Sequence, residues 1–176
     1  MMTGTYTPAA RMLHWLTAFC VAVTVPVALA MVRTPEGAFT NALYEIHKSF
    51  GILIFVIMMA RLAVRLVKGA PPPAAGLTQA ERVISKIVHV ALYVVLVALP
   101  IGGYAATSSC CAPVKLFWTI PMPFAFSFGE DMIKTLFEMH ELGGFLLIGL
   151  VILHVAGALN HALVKRDEVM SRMWAR

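Results

Sequence analysis

The 176 residues are 60% hydrophobic and only 13% charged, with a mean hydropathy of +0.81. Soluble domains run at about 45–50% apolar and about 25% charged, and a core this small cannot hide the excess. A soluble globular chain and a disordered one are therefore both excluded, and three cysteines exclude a disulfide framework.

The length is that of one domain, residues 1–176. A helix needs about 20 mostly apolar residues to cross a bilayer, and four stretches qualify: 12–32, 42–67, 83–106 and 133–164. In the first, Arg11, the apolar run and Ala28-Leu29-Ala30 resemble a secretory signal with a small-residue cleavage site. The apolar run continues through Val32, so the segment reads as a retained span. Between the second and third spans, residues 69–76 carry three consecutive prolines and cannot continue a helix. The third connection, 107–132, holds Pro113, Pro121, Pro123 and Gly129, with an aromatic-rich run over 117–128. It reads as an ordered cap on the membrane surface, with Phe and Trp at headgroup level. Trp15, Trp118 and Trp174 are expected as interfacial anchors, and Cys20 as apolar filling. The expected fold is an all-α bundle of four transmembrane helices.

The basic residues orient it. With four spans, both termini and the second loop share one side, which collects ten of the fourteen Lys and Arg against three acidic residues. The other side has Arg33, Lys48, Lys115 and Lys134 against six acidic residues. The positive-inside rule then puts both termini in the cytoplasm. The net charge of +5 and pI of about 9.4 are accounted for by topology and anionic lipid, and nucleic acid is excluded.

All six histidines, His14, His47, His89, His140, His154 and His161, fall within the spans or at their edges. Ionisable side chains at membrane depth are expensive and mark function. His140 and His154 are fourteen residues apart, which on a helix returns to within about 40° of one face with a rise of about 21 Å, one histidine near each leaflet. His47, at the outer end of the second span, lies level with His140. His14, at the inner end of the first, lies on the side toward which His154 descends. Two opposed pairs, one above the other, are what two six-coordinate haems require. Gly143, Gly144, Gly149 and Gly157 on the fourth span, and Gly51 one turn after His47, either open a face for a flat porphyrin or serve close helix packing.

His14-Trp15, Ile46-His47, Met139-His140-Glu141 and His154 together resemble the prokaryotic cytochrome b561 family, itself similar to the dihaem b subunits of formate dehydrogenases and nickel–iron hydrogenases. The likeness covers essentially the whole chain, including Arg61 and Arg65, Tyr104, Pro113-Val114 and Pro121-Met-Pro123. It implies two haems b, with His14 paired to His154 inside and His47 to His140 outside. Compact single-chain members look like the bacterial superoxide oxidase, which passes an electron from superoxide outside through both haems to ubiquinone. A non-catalytic cytochrome subunit serving a periplasmic redox protein is the alternative. A His-lined metal transporter would need mid-span carboxylates, which the sequence lacks.

Beyond the ligands, Arg61 stands fourteen residues after His47, level with His154. It either bonds an inner haem propionate or snorkels to the headgroups; the propionate is the expectation for Arg61, and snorkelling for Arg65. Gly51 and Gly144 are the candidate porphyrin-facing glycines. His89 and His161 are expected at an inner quinone site, with Ser85 and Asn160 nearby, although His161 is also an alternative iron ligand. Lys48, Lys115 and Lys134 would draw a small anion to the outer haem, against the net acidic balance of that face. Cys110 and Cys111 are either free thiols or a labile pair.

Overall fold

The computed structural model describes residues 4–111, 113–123 and 126–174. Phe124 of the aromatic run and Arg176 of the basic set lie outside the described residues. Helix α1 spans Pro8–Met31, α2 Ala38–Lys68, α3 Gln79–Cys110 and α4 Glu130–Leu159, the last continuing as a π-helical turn, Asn160–Lys165. All four are long and apolar enough to cross a membrane.

Each helix begins about a turn before its apolar run, and in α1 and α3 a side-chain cap sets that start. Thr7 Oγ1 accepts the Ala10 N–H, with Pro8 in the first turn of α1. Thr78 and Glu81 form a reciprocal capping box at α3. Helix α2 stops at Gly69, whose φ of +71° favours glycine, with Arg65 and Lys68 in its last turn. Its 31 residues extend about 46 Å, well beyond a hydrocarbon core of about 30 Å, so its polar ends stand in the headgroup layer.

Helix α1 packs along α2, α2 against α3, and α3 along α4; α4 has no comparable backbone packing with α1 or α2. The seam between α4 and the α1–α2 pair is thus bridged by side chains. Cys20, Val21, Ile54, Ile57, Met58, Leu96 and Leu147 form the core. In sequence, Ile54 to Met58 fall between His47 and Arg61, and Leu147 falls midway between His140 and His154.

At one end of the bundle lies a feature that hydropathy did not anticipate. Lys115–Leu116 pairs antiparallel with Ile120–Pro121 in a small hairpin, whose turn puts Phe117 and Trp118 at φ of +46° and +63°. Such non-glycine conformations cost about 1–3 kcal/mol each. Offsetting contacts come from α2: the buried Ser49 hydroxyl accepts the Phe117 N–H at 2.8 Å, and Phe50 meets the Phe117 ring edge-on. Cys110 and Cys111, at the adjoining end of α3, are disulfide-bonded to each other.

At the other end, both termini are tied together. Trp15 Nε1 donates to the Met173 carbonyl at 2.9 Å, Arg11 to that of Trp174 at 3.1 Å, and the Trp15 and Trp174 rings meet edge-to-face. Arg172 reaches the Pro72 carbonyl of the α2–α3 loop and the Glu168 carboxylate. Trp15 and Trp174 thus close this end as a pair.

Candidate functional site

The seam beside α4 holds four histidines in two levels. At the hairpin end, His47 of α2 faces His140 of α4 with ring centroids 6.0 Å apart and planes at 80°. At the terminal end, His14 of α1 faces His154 of α4 at 6.1 Å and 64°. A metal–imidazole bond of about 2 Å on both sides of one iron separates the ring centres by about 6.3 Å. Both pairs therefore have the spacing a bis-histidine haem requires, across the seam where α4 lacks close backbone packing with α1 and α2.

The hydrogen bonds of the hairpin-end pair agree. His47 Nδ1 lies 3.4 Å from the Thr24 carbonyl, and His140 Nδ1 lies 3.0 Å from that of Leu99. Donation from Nδ1 leaves the Nε2 lone pair for a metal and fixes the ring orientation. Both acceptors are main-chain carbonyls, which no side-chain pattern in the sequence marks. Gly103, which the sequence reading passed over, is a further requirement: a Cβ there would lie 2.8 Å from His140 Cε1. By contrast, a Cβ on the half-buried Gly51 or Gly144 would meet nothing within 4 Å, open space of the kind a porphyrin edge fills. Gly143 is of the packing kind, its Cβ position lying 2.7 Å from Leu99 Cδ2.

The terminal-end pair sits in a more polar cluster. Arg61 is half-buried with a guanidinium nitrogen 3.3 Å from His14 Nδ1, and its guanidinium carbon is 5.4 Å from the centroid of the Tyr93 ring. It is drawn into the bundle, whereas Arg65 is exposed. His89 places its ring 5.2 Å from that of His154 and its Nδ1 3.2 Å from Ser85 Oγ. His161, in the π-helical turn, pairs with Asp167 at 2.6 Å. His89 and His161 thus have separate partners. Asn160 is exposed at the start of that turn.

The lysines of the hairpin end are not equivalent. Lys48 is ion-paired with Glu45, and Lys134 lies 3.9 Å from Glu138 with both side chains exposed. Lys115, on the hairpin, has no ion-pair partner among the described residues. No three His, Cys, Asp or Glu side chains converge as a metal site among the described residues.

The description "prokaryotic cytochrome b561" matches residues 5–176. The chain belongs to that family. The cytochrome b561 assignment implies haem b, and the two seam-bridging pairs are the residues that fit it. Relatives include "Cytochrome b561 homolog 1" of Escherichia coli (strain K12), 29% identical over 171 residues, covering 93% of each chain. "Cytochrome b561 homolog 2" of the same organism is 26% identical over 162 residues, 91% of this chain and 86% of the relative. "Probable superoxide oxidase CybB" of Yersinia pestis is 28% identical over 166 residues, 92% of this chain and 90% of that protein. This cytochrome b561 is accordingly a multi-pass bacterial membrane protein of electron transfer.

Proposed function

We propose that this cytochrome b561 carries two haems b through the bacterial inner membrane and moves electrons from periplasmic superoxide to ubiquinone on the cytoplasmic side. The observation that carries the reading is the pair of opposed histidines at each level of one seam, with ring centroids 6.0 and 6.1 Å apart. His14 and His154 would hold the haem toward the cytoplasm, and His47 and His140 the one toward the periplasm. The haems supply one-electron carriers at two depths; the chain supplies their placement and surroundings. The carbonyls of Thr24 and Leu99 hold the periplasmic ligands by Nδ1. Arg61 offers a half-buried cation to a propionate, and Gly51 and Gly144 leave open space for a ring edge.

Each superoxide gives up one electron and leaves as dioxygen; two such electrons and two protons convert ubiquinone to ubiquinol. A quinone oxygen gaining charge needs a hydrogen-bond donor and then a proton, and a histidine can provide both. Once the four ligands are set aside, the remaining histidines, His89 and His161, both lie toward the terminal end, so quinone reacts there. The similarity to the probable superoxide oxidase of Yersinia pestis supports the superoxide reading. The engaged state of Lys48 and the acidic balance of the periplasmic face favour the second reading, an electron-transfer subunit receiving electrons from a periplasmic redox protein, which would dock over the exposed Trp118 hairpin.

The test is an anaerobic haem spectrum of the purified protein, followed by a superoxide pulse and then ubiquinone. Fast haem reduction by superoxide, slowed by salt and by Lys115→Gln, followed by reoxidation with quinone, supports the oxidase. Reduction indifferent to salt and to that change supports the subunit.

A further inference from the structure

A histidine–carboxylate contact outside both histidine pairs of the seam lies at the junction of α4 with the C-terminal segment. His161 Nδ1 lies 2.6 Å from Asp167 Oδ2, with the two side chains only 13% and 23% exposed. The backbone enforces the pairing. Helix α4 widens into the π-helical turn Asn160–Lys165, Arg166 reverses the chain in the left-handed region at φ +52°, and the Asp167 N–H returns to the His161 carbonyl at 3.2 Å. The same two residues are thus joined through backbone and side chain together. Asp167 Oδ1 is fixed separately by the Val169 N–H at 3.0 Å. Widened turns of this type interrupt α-helices most often at functional sites.

Asp167 also lines an open cavity of about 340 Å³ with Ala162, Met170, Ser171 and Trp174. One edge of its carboxylate therefore touches His161 while its surroundings communicate with solvent at the terminal end. Burial works against its ionisation, but the Val169 amide, His161 and Lys165 outweigh that and hold the carboxyl below its ordinary value. The charges acting on Asp167 are those of His161 and Lys165, and Lys165 is itself paired with Glu81 of α3. Nearby Glu168 is engaged with Arg172, and Arg166 is exposed. Asp167 is thus an anion directed at one imidazole.

We propose that Asp167 is a positioning residue for quinone reduction: it binds His161 through Nδ1, presents Nε2 to a quinone oxygen, and links that histidine to protons from the terminal-end cavity. This rests on the quinone reading above. In each cycle two electrons arrive from the haem side and two protons from cytoplasmic water. His161 gives a proton from Nε2 to the quinone oxygen and regains it from solvent, while Nδ1–H stays on the carboxylate. A fixed Nδ1 partner decides which nitrogen faces the substrate, the same logic by which an aspartate orients the histidine of a hydrolase triad.

The experiment uses the haem-loaded full chain, prereduced and mixed with ubiquinone in a stopped-flow instrument across pH 5.5–8.5. The variants are Asp167→Asn, Asp167→Glu, His161→Gln and the Asn/Gln double change, each first shown to retain the parent haem spectrum. Asp167→Asn should lower the maximal reoxidation rate about ten-fold or more with a smaller change in KM, and its rate should decline from a lower pH than the parent's. Asp167→Glu should restore most of the rate and the pH profile, and Asp167→Asn should add nothing on the His161→Gln background. If His161→Gln is slow while Asp167→Asn matches the parent, the positioning role is overturned and the quinone reading stands. Parent rates in both single variants overturn the quinone reading as well. If Asp167→Glu is as slow as Asp167→Asn and the pH profile is unmoved, Asp167 acts only by bracing the chain, which also overturns the proposal.

Discussion

Gly103→Ala should damage the proposed haem site between His47 and His140 without replacing either histidine. The added Cβ would lie 2.8 Å from His140 Cε1 and 3.0 Å from Nδ1. Carbon atoms in favourable contact stand about 3.5–4.0 Å apart, so the ring must retreat by roughly 0.7–1.2 Å. That movement stretches the 3.0 Å bond from Nδ1 to the Leu99 carbonyl past the limit of about 3.5 Å at which such a bond remains useful. It also exceeds the tolerance of about 0.2 Å on a metal–imidazole bond. Loss of a hydrogen bond that orients a ligating histidine typically costs about 10–100-fold in metal affinity, so the haem between His47 and His140 should be lost on dilution or bound that much more weakly. Haem per chain by pyridine haemochrome, with a redox titration to identify which centre remains, reads the effect. Gly102→Ala is the control, since its Cβ meets nothing within 4 Å, and it should keep both centres. Parent haem content and potentials in Gly103→Ala would refute the claim that this glycine seats the ligand.

Three further outcomes are expected. Replacing His47 or His140 by Ala should remove one haem signal and leave the other, because the pairs occupy different levels of the seam; loss of both from a folded protein would contradict independent sites. Lys115→Gln should slow haem reduction by superoxide about two-fold at low salt, whereas Lys48→Gln, whose charge Glu45 already neutralises, should change it little; equal effects would contradict the charge placement. Because the folded-state value of Asp167 is depressed, its stabilisation of the C-terminal segment is present above the ordinary carboxylate range and lost as pH falls through the folded value. Protease sensitivity near Trp174 should therefore rise in acid in the parent, and an Asp167→Asn protein should lack that step.

Much of this was legible in the sequence because membrane helices announce themselves by hydropathy and repeat at fixed geometry. A fourteen-residue interval on α4 fixed the face and depth relation of His140 and His154 before any coordinates, and the structure places His47 and His14 opposite them. The helices begin about a turn before the apolar runs, which mark only the membrane-crossing part; Thr7 and the Thr78–Glu81 box cap α1 and α3 outside them. The hairpin over 115–121 was invisible because two-residue strands carry no periodicity, and Phe117 and Trp118 are not the residues that a turn with positive φ prefers. The Nδ1 partners of His47 and His140 are backbone carbonyls, which no side-chain motif encodes. Asp167 read as one more cytoplasmic charge, since only the π-helical turn brings it back onto His161.

The central claim is most directly tested by counting haem b per chain in the purified, membrane-extracted protein, by pyridine haemochrome against amino-acid analysis, with a redox titration on the same sample. The account predicts two haems per chain and two resolvable midpoints, falling to one of each in His140→Ala. One haem or none per parent chain would contradict it.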